Sequence, residues 1–93
     1  MRTIERTAQF KRDYKREAKG RHRDVLDSLL KEVLMHLVHR KRLLIKYRDH
    51  ALSGPWEDHR DCHLRPDLVL IYRLPDDDTL QLVRLGSHSE LGL

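Results

Sequence analysis

A chain of 93 residues is long enough for one domain, with a radius of gyration of roughly 12 Å and one thin apolar core. Hydrophobic residues make up 39% and charged residues 37%, with a net charge of +4, yet the apolar residues recur in periodic runs, which predicts a folded domain. No apolar run is long enough for a membrane span, Met1-Arg2-Thr3-Ile4-Glu5 carries no apolar leader, and the lone Cys62 cannot close an internal disulfide, so a cytoplasmic protein free of membrane is expected.

The segment Arg2-Thr3-Ile4-Glu5-Arg6 alternates and predicts a short strand. Thr7 can cap a helix whose Phe10, Tyr14 and Ala18 fall on one face, and Gly20 would stop it. Val25, Leu26, Leu29, Leu30, Val33, Leu34, Leu37 and Val38 then form a broad apolar stripe, which predicts a second helix antiparallel to the first. From Arg40 to Pro55 the chain is basic and then turn-rich, and reads as a long connection. Three strands are predicted after it: Trp56 to Leu64, Leu68 to Leu74, and Leu80 to Leu85. They are joined by turns at Arg65-Pro66-Asp67 and at Pro75 to Asp78. Helices first and an antiparallel meander afterwards predict an α+β fold over residues 1–93, with the helix pair covering one sheet face.

Charge is unevenly placed. Residues 1–48 hold 15 of the 19 Lys and Arg against six acids, and residues 49–93 hold four against nine. A half that basic suits a polyanion or an acidic protein partner.

Strand alternation sorts the polar side chains. If Cys62, Leu64, Val83 and Leu85 meet the helices, then Asp61, His63, Arg84 and His88 belong to the opposite, open face. Asp67 lies at a turn between two of these strands, and His50 on the loop that enters the sheet. Imidazoles can accept or donate protons at neutral pH, and a guanidinium binds phosphate oxygens in pairs. With no nucleophilic Ser or Cys arrangement, this set fits cleavage of RNA by its own 2′-hydroxyl. His22, His36 and His39 read as surface residues. His59 and His63, four apart on a strand, would be roughly 13 Å apart, too far for one ion, so no metal and no cofactor is expected. Cys62, Trp56 and Tyr72 read as core residues.

Asp49-His50, Leu52, Gly54, Trp56, Arg60-Asp61, His63, Pro66-Asp67, Leu70 and Tyr72, followed by Arg84-x-Gly86-x-His88-x-x-Leu91, form a pattern that resembles the YafQ family of toxins, within the RelE/ParE superfamily of toxin–antitoxin systems. The resemblance implies two helices on a curved antiparallel sheet and a ribosome-dependent, metal-free mRNA endonuclease acting in the A site. It also implies neutralisation by a cognate antitoxin. Matched by position, His50, His63, Asp67 and His88 form the catalytic set, with Asp61 and Arg84 as accessory residues. His88 is expected as general acid and His50 as general base, with His63 or Asp67 as rivals for the base. Lys11, Lys15, Arg40, Lys41, Arg42, Lys46 and Arg48 are expected to hold ribosomal RNA through phosphate contacts. Two departures stand out: Leu68 where the family commonly has an aromatic, and Gly92 where a phenylalanine usually follows the last leucine. A lost base-stacking contact, worth about 1–3 kcal/mol, would weaken substrate positioning roughly ten- to a hundredfold. Two other readings stay open, a ParE-like toxin that binds DNA gyrase and a basic nucleic-acid-binding module without chemistry.

Overall fold

The computed structural model describes residues 1–93 throughout. In chain order it contains strand β1 (Thr3–Arg6), helices α1 (Ala8–Glu17) and α2 (Leu26–Val38), strands β2 (His50–Ala51), β3 (Arg60–Arg65), β4 (Leu68–Asp76) and β5 (Thr79–Gly86), and helix α3 (His88–Leu91). The strands form one sheet in the order β1-β5-β4-β3-β2. All neighbours are antiparallel except β1, which runs parallel to β5 at one edge. No helix is long and apolar enough to cross a membrane.

Local chemistry explains the helical half. The Thr7 hydroxyl accepts from the Phe10 amide at 3.0 Å and donates to the Val83 carbonyl at 2.8 Å, so one side chain caps α1 and ties it to β5. The apolar stripe of α2 supplies Leu26, Leu30, Val33 and Leu37, which pack with Phe10 against Cys62, Leu64, Leu70, Tyr72, Leu80, Leu82 and Leu85 of the sheet. Burial pushes the Cys62 thiol pKa well up, as a small apolar core residue requires.

The opposite face carries a smaller cluster, Val69, Ile71 and Leu91, with Leu52, Trp56 and Val83 partly buried beside it. Asp61 and His63 belong to this side, as the alternation with Cys62 and Leu64 requires. Several expectations are corrected. The ladder shifts register between Ile71 and Tyr72, where Ile71 pairs with Arg84 and Tyr72 with Leu82. That bulge reverses the phase of β5, so Leu82 rather than Val83 joins Leu85 in the helix-facing core. The first predicted sheet strand begins at Arg60, not Trp56, which instead sits in a 3-10 turn, Gly54–Trp56, and is only partly buried. The long connection is not structureless, because it contains a 3-10 turn, Ile45–Tyr47, and the two-residue β2. Leu68 is fully buried on the helix side with Leu70 and Tyr72.

Candidate active site

Three separate elements deliver three imidazoles to the open face. His50 comes from β2, and its neighbour Asp49 is what fixes that short strand. The Asp49 carboxylate takes two hydrogen bonds from the Arg60 guanidinium, at 3.3 and 3.2 Å, and another from the Tyr72 hydroxyl. The ladder then sets His50 opposite Asp61 and Ala51 opposite Arg60. His63 follows two residues after Asp61 on the same face of β3. His88 opens α3, a four-residue helix held by a capping box: the Ser87 hydroxyl accepts from the Glu90 amide at 3.2 Å, and the Glu90 carboxylate accepts from the Ser87 amide at 2.9 Å. Leu91 anchors the helix on Val69 and Ile71.

The rings meet. His50 and His63 lie 6.2 Å apart between centroids, and His63 and His88 5.1 Å apart. Between them is Asp61, only 2% exposed. Its Oδ1 lies 3.1 Å from His50 Nδ1 and 3.9 Å from His63 Nε2. Neither approach is a hydrogen bond: His50 Nδ1 donates instead to the Arg48 carbonyl at 2.9 Å, and His63 is too far. Burial therefore raises the Asp61 pKa, opposed by the charges that His50, His63 and His88 can carry. Burial likewise lowers the His63 pKa, with Asp61 opposing and the two other imidazoles adding to the effect. His63 is thus kept neutral near pH 7, an acceptor rather than a donor of protons.

The second carboxylate is arranged differently. Asp67 Oδ1 accepts from the His88 ring at Nδ1 (2.9 Å) and from the His88 amide (3.1 Å). The ring bond first, and then the amide, hold the Asp67 pKa below its ordinary value. The ionised Asp67 fixes the His88 tautomer and leaves Nε2 as the nitrogen able to hand on a proton. In His50 the proton on Nδ1 likewise leaves Nε2 as an acceptor.

Arg84 does not join this group. Its Nε donates to Asp13 of α1 at 2.7 Å, and the Leu85 amide donates to the same oxygen at 3.0 Å. Arg84 therefore closes the seam between helix and sheet, a correction to its expected place among the open-face residues. Arg40 is also otherwise engaged, since it pairs with Asp78 at 3.0 Å in the β4–β5 turn, at the opposite end of that hairpin from Asp67. Lys11, Lys15, Lys41 and Arg42 are exposed. Lys46 and Arg48 stand beside the site, where with His63 and His88 they line a cleft of about 580 Å³. Arg65 lines it as well, a cation that no motif or spacing in the sequence singled out. Asp13 was equally hidden, because an acid inside an amphipathic helix normally reads as solvated. No three His, Cys, Asp or Glu side chains come together as a metal-ligand group.

The chain resembles known proteins over almost its whole length. Residues 2–92 match the family described as the bacterial toxin of type II toxin–antitoxin system, YafQ. The mRNA interferase toxin YafQ of Escherichia coli K12 is 38% identical over 91 residues, covering 97% of this chain and 95% of that one. YafQ in the crystal structure of the E. coli DinJ–YafQ complex superposes with a TM-score of 0.82 at 38% identity, covering 98% of each chain. A metal-bound toxin from Helicobacter pylori superposes with a TM-score of 0.82 at 42% identity, covering 98% of this chain and 99% of that one. The geometry and these similarities converge: the chain belongs to the YafQ family of type II toxin–antitoxin toxins.

Proposed function

We propose that residues 1–93 act as one RelE-like toxin domain that cuts messenger RNA on the ribosome, in the A site and in the cytoplasm. The observation that carries this reading is the convergence of His50, His63 and His88 around the buried Asp61. The ribose 2′-hydroxyl is the nucleophile. His50, through its free Nε2, takes the hydroxyl proton as that oxygen attacks the adjacent phosphorus. His63, kept neutral, is the rival for this step; Asp67, occupied by His88, is the weaker one. His88 gives a proton from Nε2 to the departing 5′-oxygen, and Asp67 holds the ring in place for it. The products are a 2′,3′-cyclic phosphate and a 5′-hydroxyl, so the step needs no water and no enzyme nucleophile.

The basic residues support the ribosome as the site of action. Lys11, Lys15, Lys41 and Arg42 offer exposed cations for ribosomal RNA phosphates, and Lys46 and Arg48 extend that surface to the site. Because the E. coli relative is held by DinJ in its complex, a cognate antitoxin protein is the expected partner here.

Primer extension on mRNA from cells expressing the protein tests the reading. Discrete cuts within translated frames are expected, and His88→Ala should lower their formation by roughly 10²- to 10⁴-fold, the usual contribution of a positioned proton donor. Intact mRNA with damaged DNA would instead support the gyrase-binding alternative. Neither cuts nor DNA damage would leave a binding module. Full cleavage by His88→Ala would remove the assignment of the acid.

A further inference from the structure

The cleft that His63 and His88 share with Lys46, Arg48 and Arg65 does not include His50 among its lining residues. Of the three imidazoles it takes in His63 and the proton donor His88, with Arg48, whose carbonyl accepts from His50 Nδ1, on its wall. Its volume, about 580 Å³, lies within the range of sites for small ligands and is ample for one nucleotide. Three cations border it, and none is paired with a carboxylate, whereas Arg16, Arg40, Arg60 and Arg84 all are. Arg65 is exposed, and its guanidinium makes no hydrogen bond within the protein. It stands at the end of β3, where the ladder with β4 shifts register between His63 and Arg65, an irregularity that re-aims a side chain beside the site.

Chemistry gives this asymmetry a direction. The oxygen that His88 protonates is the 5′-oxygen of the nucleotide downstream of the cut, so the RNA leaving on that side is the 3′ segment. We propose that the cleft binds the first nucleotide 3′ of the scissile bond, and that Arg65 holds that nucleotide's own 3′ phosphate. This rests on the nuclease reading given above and adds to it a specific subsite, a polarity and a residue. A guanidinium is the right group, since it engages two phosphate oxygens at once and stays charged at every working pH. Arg84, the guanidinium expected as an accessory residue of the site, is locked to Asp13. Arg65 is free to take a phosphate in its place.

The test uses ribosomes programmed with a synthetic mRNA that carries one codon cut by the wild-type protein, under single-turnover conditions. A methylphosphonate removes the charge of one phosphate at a time, either the phosphate immediately 3′ of the scissile one or the phosphate immediately 5′ of it. Arg65→Ala should slow cleavage about tenfold or more, as loss of a charged hydrogen bond predicts, and Arg65→Lys should recover part of that loss. The 3′ methylphosphonate should slow the wild type comparably but slow Arg65→Ala no further. The 5′ methylphosphonate should leave the ratio of wild type to Arg65→Ala unchanged. Wild-type rates in Arg65→Ala would overturn the subsite, as would a mutant defect that persists on the 3′-modified RNA or disappears on the 5′-modified one. Cleavage by the wild type in those experiments keeps the nuclease reading intact, so the two claims fail separately. Absence of cleavage by the wild type would overturn both.

Discussion

Asp13 and Asp61 are almost equally hidden from solvent, and their surroundings differ in every other respect. Asp13, in the seam between α1 and β5, accepts from Arg84, Arg16, Gln9 and the Leu85 amide. Burial alone would raise its pKa, but these bonds prevail and hold it below the ordinary carboxylate value. Asp61, on the open face, has one oxygen with no hydrogen bond at all and a pKa raised by burial. The first carboxylate is placed where the fold satisfies it, and the second where only protonated imidazoles could. The difference separates a group that holds the molecule together from one kept uncomfortable beside the chemistry.

Substitution should divide them sharply. Asp13→Asn leaves Arg84 without its counter-charge and should destabilise the protein by about 3 kcal/mol, seen as a lower urea midpoint at unchanged slope. Asp61→Asn should leave stability unchanged or raise it by up to about 1 kcal/mol, because it removes a buried, unsatisfied charge. The same change should lower cleavage roughly tenfold, because it removes the negative charge 3.1 Å from His50 that favours this imidazole as it takes up a proton. A strongly destabilised Asp61→Asn would erase the contrast.

Acid should move the two in opposite directions. A carboxylate with a depressed folded pKa contributes stability above its unfolded value, about 3.9, and loses it as pH falls through the folded value. The Asp13→Asn penalty should therefore shrink at acid pH. A carboxylate with a raised folded pKa costs stability above that folded value, and the cost disappears on protonation, below about pH 3.9. Any advantage of Asp61→Asn should accordingly vanish there too, from the opposite sign. Urea midpoints of the three proteins between pH 3 and 7 would show both trends.

Smaller effects lie between the two regions. A Cβ on Gly86 would stand 2.7 Å from Arg16 Nη2 and 3.1 Å from Glu90 Oε1, the mobile ends of both side chains. Gly86→Ala should thus cost about 1 kcal/mol, with Arg16 displaced from the Leu85 carbonyl. Glu90→Gln weakens the exposed pair with Arg16 (3.0 Å) and should change stability by no more than about 1 kcal/mol. The Gln amide oxygen still accepts from the Ser87 amide, so α3 should hold His88 in place and cleavage should be unchanged.

Much of this was legible in the chain, for reasons that are themselves physical. The helical stripe from Val25 to Val38 and the alternation that separates Asp61 and His63 from Cys62 and Leu64 both survive, because long periodic segments encode their own faces. Periodicity is silent where it breaks or where a segment is too short to show it. One bulge in β5 turned Val83 to the open face, and Arg84 is drawn to Asp13, an acid whose burial no periodicity announces. Two residues of β2 are too few to show alternation, so the strand that carries His50 was hidden in a basic connection. Helix α3 is only four residues long, yet Ser87-His88-Ser89-Glu90 spells a capping box, a signal present and overlooked. Arg65 had no signal, since its place depends on a register shift that only the folded sheet contains.

Replacing the ribose 2′-hydroxyl at one cleaved position of a ribosome-bound mRNA by hydrogen tests the imidazole cluster most directly. If His50, His63 and His88 serve only to move protons for that oxygen, the altered bond should stay intact while an all-ribose copy of the same codon is cut. Cutting at the deoxy position would require another nucleophile, and would contradict the chemistry assigned to this face of the sheet.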